Sequence, residues 1–298
     1  MASPISQMAA IVAAVKGACD VRPMDLDPFR SGTVYGKQAI LEIKELNAFA
    51  SIEVVTDLPL KRLGRVSLER NNKEIIGIDA SFFHKRDTKK GLPVQAKGVS
   101  GATKTRLIIP FADETMRTLQ GIRRGELVHQ AGELLVLKIG VKAKAAGDPD
   151  VPEFTARARV LDYQSTRFFQ QRYTQTSILQ TQTGEQRHEF PIVGQNVRLR
   201  SMLLETEDDD ITRVSIRRDN ETIWEQDVED IRFAMSRYSQ TNAPEKGVWI
   251  DFVSTGFANE QSFTPIALSS LKLVVEKGSS GTIDVFADYI EVEQLPAV

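Results

Sequence analysis

Arg65-Val66-Ser67-Leu68-Glu69-Arg70-Asn71-Asn72-Lys73-Glu74-Ile75-Ile76 is echoed 148 positions later by Arg213-Val214-Ser215-Ile216-Arg217-Arg218-Asp219-Asn220-Glu221-Thr222-Ile223-Trp224, with six of the twelve positions identical. Each copy reads as an alternating strand, a polar turn at Asn71-Asn72 or Asp219-Asn220, and a second short apolar strand, which is the pattern of a β-hairpin. The offset is almost half the chain of 298 residues, so the pattern predicts a duplicated unit.

The likeness extends outward from the hairpins. Each leads into a segment of helical character, Asp79 to Lys85 and Asp227 to Tyr238, with an aspartate placed to cap the first turn. Each helix precedes a strand, Arg106–Phe111 or Val248–Phe252. Each half is then expected to close with a long hairpin. The first pairs Leu134–Ala145 with Glu153–Tyr163 across Gly147-Asp148-Pro149-Asp150; the second pairs Leu271–Glu276 with Thr282–Val292 across Gly278-Ser279-Ser280-Gly281. Upstream, Ala39–Leu46 and Ser51–Val55 read as the first strands. Short strands rich in β-branched residues, joined by long returns with little helix, fit an all-β sandwich of jelly-roll type better than an α/β wheel. The expected fold is two tandem eight-stranded jelly-roll sandwiches, a double jelly roll, with short helices and an N-terminal helical arm. The boundaries are residues 1–33 for the arm, 34–163 for the first roll and 164–298 for the second.

The composition is that of an ordinary globular chain, 41% hydrophobic and 26% charged, with a formal net charge of −2 that argues against a protein built to neutralise nucleic-acid phosphates. One cysteine, Cys19, cannot form an internal disulfide, so the fold does not rely on an oxidising compartment. No stretch approaches a membrane-spanning length of about 20 apolar residues, and Met1 to Gln7 lacks the positive start of a secretory signal. The charge is unevenly placed. Residues 1–163 hold 25 Lys and Arg against 19 Asp and Glu, while residues 164–298 hold 13 against 21. Opposite halves point to an association surface, for which a second copy of the chain is a candidate.

In the N-terminal segment, Ile5, Met8, Ile11, Val12 and Val15 recur at helical spacing, predicting one short amphipathic helix. Pro23, Pro28, Gly32 and Gly36 then mark an extended arm expected outside the barrel. The apolar stripe has three possible partners: its own domain, a neighbouring subunit or a lipid surface.

Motifs for chemistry fail one by one. Gly32-Thr33-Val34-Tyr35-Gly36-Lys37 is one residue short of a P-loop and is followed by Gln38, where a hydroxyl is needed. His84, His129 and His188 are scattered singly, without metal-ligand spacing. The acidic run Glu205, Glu207, Asp208, Asp209, Asp210 lacks the glycine and alternation of a calcium loop. Gly98-Val99-Ser100-Gly101 is not a nucleophile elbow. No catalytic residue, cofactor site or metal ligand set is assigned. The sharpest charge feature is basic: residues 61–106 carry twelve Lys and Arg against four acids, including the loop with Lys85, Arg86, Lys89 and Lys90. It reads as a solubilising loop, as a phosphate-contacting surface, or as one side of a charge pairing between subunits; the near-neutral total favours pairing over phosphate contact.

Taken together, the two hairpins, the segment Asp227–Tyr238 and the strand Trp249-Ile250-Asp251-Phe252 resemble the major capsid proteins of corticovirus-type, membrane-containing icosahedral bacteriophages, over roughly Thr33 to Val292. The resemblance implies a non-enzymatic subunit that forms homotrimers, with two barrels per chain giving pseudo-hexagonal capsomers. These would tile an icosahedral shell over an internal viral membrane, beside neighbouring capsomers and minor or penton capsid proteins, without sequence-specific nucleic-acid binding. The chain would then reside in a virion assembled in the host cytoplasm. In such a ring the basic half of one subunit abuts the acidic half of the next, with Lys85, Arg86, Lys89 and Lys90 on one side and Asp208, Asp209 and Asp210 on the other. The stripe Ile5, Met8, Ile11, Val12, Val15 would reach the membrane or an adjacent capsomer, and structural calcium at the acidic run is a further implication. Two other readings use the same fold. A carbohydrate- or receptor-binding spike or tail sandwich would want exposed aromatics, whereas Trp224 and Trp249 fall in predicted strands. A cupin-like enzyme would need clustered histidines.

Overall fold

The computed structural model describes residues 21–30, 34–112, 125–161, 167–239, 242–244, 246–252 and 262–293. The predicted helix with Ile5, Met8, Ile11, Val12 and Val15 lies outside the described residues, as does Cys19. The chain forms two compact units. The first holds the described residues up to Phe83, Gln95–Gln171 and Glu293; the second holds His84–Val94 and Arg172–Val292.

In the first unit the strands are β1 (Arg22–Asp25), β2 (Gln38–Ile43), β3 (Ala48–Thr56), β4 (Leu63–Arg70), β5 (Lys73–Asp79), β6 (Thr105–Pro110), the two-residue β7 (Leu127–Val128), β8 (Leu135–Val141) and β9 (Phe154–Leu161). One sheet has the order β1-β9-β3-β6, with β7 added against β3, and the other β2-β8-β4-β5. The second unit contains β10 (Phe169–Gln180, from Arg172 onward), β11 (Gly184–Glu189), β12 (Val197–Glu205), β13 (Ile211–Arg218), β14 (Glu221–Asp227), β15 (Val248–Asp251), β16 (Leu271–Lys277) and β17 (Gly281–Val292). Its orders are β10-β17-β12-β15 and β11-β16-β13-β14. With β7 set aside, both units place their first, eighth, third and sixth strands in one sheet and their second, seventh, fourth and fifth in the other. Each is a complete jelly roll.

The duplicated hairpins are β4–β5 and β13–β14. Both turn residues of each have positive φ, 50° and 62° at Asn71 and Asn72, 50° and 72° at Asp219 and Asn220. That is the condition for a type I′ turn, whose twist matches the flanking strands and which Asn and Asp tolerate best among residues with a Cβ. Each hairpin also slips register at the same place, between Leu68 and Glu69 and between Ile216 and Arg217. The register sets the core. Leu41, Leu137, Leu68 and Ile76 form a fully buried row across β2-β8-β4-β5. The matching row of the second unit is His188, Leu273, Ile216 and Trp224. His188 thus occupies a core position; burial lowers its pKa, and Gln180 Oε1 lies 3.4 Å from its Nε2.

Three expectations are corrected. The closing segments are not hairpins: β8 pairs with β2 and β4 while β9 pairs with β1 and β3, and β16 pairs with β11 and β13 while β17 pairs with β12. The polar turns carry the chain from one sheet to the other, so each pair of arms faces across the core rather than edge to edge. The first such turn is pinned by Arg62 Nε and Ala145 N, which donate to Asp148 Oδ2 at 2.7 and 2.8 Å, and by the Tyr35 hydroxyl, which donates to Pro149 O at 2.7 Å. Second, Arg22–Asp25, expected in an arm outside the barrel, is an edge strand paired with β9, a place where Pro23 costs no ladder bond. Third, the first helix, α1, runs over Ser81–Lys89 and takes in residues read as a basic loop. The second, α2, spans Val228–Ala234 and continues as a π turn over Met235–Ser239.

The turn at Asp219 also organises the loop before β16. Its carboxylate accepts from Leu268 N at 2.9 Å, Ser269 N at 2.6 Å and Ser270 N at 3.1 Å. In the first roll Asn71 Oδ1 accepts from Leu134 N at 2.8 Å, the same device before β8. The backbone N–H groups of Leu268 and Ser269, joined by Ser270 and the Ser269 hydroxyl, hold the Asp219 carboxyl far below the usual carboxylate range. A depressed carboxyl contributes stability that is complete above its unfolded pKa, about 3.9, and declines as the pH falls from there toward its folded value. Asp219→Asn, which copies the first roll, is therefore expected to melt below the wild type at pH 7, and the gap is expected to narrow at pH 3. Thermal melts at the two pH values check both.

Candidate assembly surface

Helix α1 begins where Asp79 Oδ1 accepts from Ser81 N at 2.9 Å, and it buries Phe82 and Phe83 in its first turn. From His84 onward the helix belongs to the second unit. Its end is held there by Asn242, whose backbone N donates to Lys89 O at 2.8 Å and whose Nδ2 donates to Thr88 O at 3.1 Å. Gly91, with φ +67°, then turns the chain away in the left-handed conformation that suits a helix stop.

The helix lays three cations on one face of β10-β17-β12-β15. On that face Asp251, Ser201 and Asp288 form one row across three strands, and Trp249, Leu203 and Phe286 form the next. Lys89 Nζ donates to Asp251 Oδ2 at 2.7 Å and sits 4.6 Å from the Trp249 ring centre. Arg86 Nε lies 3.5 Å from Asp288 Oδ2, with its guanidinium 5.9 Å from the Tyr173 ring centre. Lys85 Nζ reaches both Glu205 oxygens at 2.6 Å and lies 5.4 Å from the Phe286 ring centre. Burial pushes the Tyr173 phenol well above tyrosine's ordinary value, so it meets Arg86 as a neutral ring. Arg86 is 3% exposed and Lys89 7%. Of the four cations read as a subunit boundary, Lys85, Arg86 and Lys89 are thus engaged with carboxylates of the unit to which they belong, and Lys90 is half-buried.

The acidic run is likewise engaged from within. Lys277, almost wholly buried, places its ammonium 2.9 Å from Asp210 Oδ1, and the Ser279 hydroxyl bridges Asp210 Oδ2 at 2.7 Å and Asp208 Oδ2 at 3.2 Å. Burial raises the Asp210 carboxyl, but hydrogen bonds from Ser279 and Lys277 outweigh it and hold the group below its ordinary value. Asp209 Oδ1 accepts from Gly247 N at 2.7 Å. Gly247, at φ +82°, allows this approach, since a Cβ there would stand 2.7 Å from Leu204 O. A lysine ammonium therefore sits where the run would offer oxygens to a cation. Among the described residues no group of three or more His, Cys, Asp and Glu is placed to hold a metal ion. Glu207 and Asp208 are the exposed members of the run.

The histidines stay apart. His129 is held by its two ring nitrogens at Glu45 O, 2.9 Å, and Glu133 O, 3.1 Å; His84 is buried in α1, and His188 lies in the core row described above. Trp224 and Trp249 are both buried, at 8% and 1% exposure, so neither offers a sugar-stacking face. No helix among the described residues is long and apolar enough to cross a membrane.

Two complete jelly rolls of one topology in a single chain, with a charged helix after the fifth strand, define a double jelly-roll protein of the kind that builds viral capsids. The chain belongs to the viral coat protein P2 family, whose N-terminal domain matches residues 23–161 and whose C-terminal domain matches residues 170–293. It is therefore a structural coat protein and not an enzyme. Solved structures share the fold at low identity. The major capsid protein P2 of bacteriophage PM2 is 13% identical at a TM-score of 0.78, with 94% of this chain and 100% of that one covered. The major capsid protein of Sulfolobus turreted icosahedral virus is 10% identical at 0.70, with the same coverage. The PBCV-1 capsid protein is 9% identical at 0.64, with 91% and 94% covered. A search of curated proteins finds no match.

Because Lys89 and Asp251 are both buried, removing one charge breaks a buried ion pair, at a cost of about 3–5 kcal/mol. Lys89→Met keeps the aliphatic stem over Trp249 and loses the charge. It is expected to lower the urea-unfolding free energy by about 3 kcal/mol. Lys89→Met combined with Asp251→Leu is expected to recover most of that loss.

Proposed function

We propose that three copies of this chain close into a ring of six alternating jelly rolls, a pseudo-hexagonal capsomer. Such capsomers tile an icosahedral shell around an internal viral membrane, in a virion assembled in the host cytoplasm. The observation that carries this reading is the repetition of one complete strand order twice in one chain. A protein with two like rolls meets its copies through unlike edges, and heterologous contacts between such edges close by cyclic symmetry.

Charge supports the alternating order. Counted by unit rather than by halves, the first carries 22 Lys and Arg against 19 acids and the second 16 against 21, because the four cations from Lys85 to Lys90 belong to the second. The sign of the difference survives, with a smaller size. Unlike units attract and like units repel, which penalises the wrong neighbour. Of the charges first assigned to the boundary, Lys90 and Asp208 stay near the surface and are proposed to face the next subunit. The stripe Ile5, Met8, Ile11, Val12, Val15 is proposed to meet the membrane or an adjacent capsomer at the capsomer foot.

Light scattering on the purified protein tests the reading. A particle of about 100 kDa, three times the 33.2 kDa chain, is expected at low salt, with partial dissociation at high salt. A monomer at micromolar concentration under both conditions overturns it.

A further inference from the structure

The 148-residue offset that aligns the hairpins also aligns the two helices: Phe83 falls on Ile231, Lys85 on Phe233, Lys89 on Arg237 and Lys90 on Tyr238. The inward positions behave alike, since Phe83 and Ile231 are both buried. The outward positions do not. Lys89 is buried against the sheet of the second unit and Lys85 and Lys90 are half-buried, whereas Phe233 is 63% exposed and Tyr238 64%.

The surface that receives α1 has its own counterpart. In β12 and in β3 the register against the eighth strand slips just before a serine, Ser201 and Ser51. Counting from these serines, Asp288 and Phe286 of β17 correspond to Arg159 and Arg157 of β9. On the neighbouring strand, Trp249 corresponds to Ile108. Arg157 and Arg159 are exposed on this face, along with Arg106. A groove of about 480 Å³ opens there, lined by Val55, Arg106, Phe154 and Arg157 among others. The equivalent surface is therefore open on the first unit, and its balance of charge differs: arginines stand where the second unit has a carboxylate and a phenyl ring, with Glu53 where it has Leu203 and with Asp25 and Asp27 also lining the groove.

Helix α2 differs from α1 on its outward side. At the positions of Lys85 and Lys90 it carries Phe233 and Tyr238, it keeps a cation, Arg237, at that of Lys89, and it adds the exposed acids Glu229 and Asp230 in its first turn. We propose that α2, with the turn through Tyr238, seats on the outward face of β1-β9-β3-β6 of a second copy of this chain, as α1 seats on the matching face of the second unit. Phe233 enters the groove, the Arg157 and Arg106 guanidiniums lie against the aromatic rings, and Glu229 and Asp230 meet the arginines. Arg157 is held within its own chain by Asp25 in a pair 61% and 81% exposed, a contact weak enough to yield, while Arg106 keeps its pair with Glu53 and its bond to Gln95 and offers the face of its guanidinium. The inference rests on the ring of alternating rolls and names the contact that closes it.

The test compares the full-length wild type with Phe233→Asp and Arg157→Glu by sedimentation over a concentration series. Each variant is expected to raise the concentration needed for trimer formation by about tenfold or more, with circular dichroism and melting unchanged because both residues are exposed. If Phe233→Asp fails to fold, Phe233→Ser decides, since it removes the ring without adding a charge. Trimers of wild-type strength in both variants overturn this inference and leave the ring standing. A monomeric wild type overturns the ring itself.

Discussion

Three cations that cannot be left unpaired away from water set where α1 lies on the second unit. Arg86 and Lys89 leave solvent, and Lys85 in part, when α1 settles on β10-β17-β12-β15, and Asp87 with Asp288, Asp251 and Glu205 offset the cost of that placement. Apolar packing alone would tolerate a helix slid by a turn, because aromatic and aliphatic surfaces are forgiving of register. Charges are not so forgiving. A shift of one turn would separate Lys89 from Asp251 and break a buried ion pair, so the ion pairs fix where the helix lies more than how tightly it binds. The ring faces of Trp249, Tyr173 and Phe286 reinforce that choice, since in this seating each cation meets a π surface as well as a carboxylate.

Much of the fold was legible because its determinants are local. Asn71-Asn72 and Asp219-Asn220 tolerate positive φ better than other residues with a Cβ, so a two-residue polar turn between alternating strands could be read from residue type. The alternation beside those turns gave the apolar rows, and the 148-residue offset carried the reading from one roll to the other. What was not legible is which strand pairs with which. Leu135–Val141 and Phe154–Leu161 are both good strands around a polar turn, and nothing local separates a hairpin from a crossing to the opposite sheet. The choice is made by the whole sandwich, in which each arm has two better partners already in place. Arg22–Asp25 misled for a related reason: prolines mark irregular chain, but an edge strand uses only some of its N–H groups, and Pro23 removes none that the ladder needs.

The candidate site was half legible. Lys85, Arg86 and Lys89 at i, i+1 and i+4 lie on one side of a helix, a pattern visible in the sequence once the segment is taken as helical rather than as a loop. Their partners were invisible, because Glu205, Asp251 and Asp288 are far apart in sequence and meet only through strand register. The same is true of the acidic run, whose neutralising group, Lys277, comes from the end of another strand. A count of charges by halves cannot separate a cation spent inside the chain from one kept for a neighbour.

That distinction bears on how one sequence could encode an alternating ring. If both helices carried cations and both receiving sheets carried acids, α1 and α2 would compete for either surface, and a second copy could displace the first helix from its place. Replacing two of one helix's cations by aromatic rings, adding acids to its first turn and placing arginines on one sheet lessens the competition. Lysines at 85 and 89 are repelled by a face bearing Arg157 and Arg159, and Glu229 and Asp230 are repelled by a face bearing Asp251 and Asp288. Duplication supplied two equivalent contacts, and the divergence of a few charges on equivalent positions assigns one to the chain itself and, in the proposed ring, the other to its neighbour.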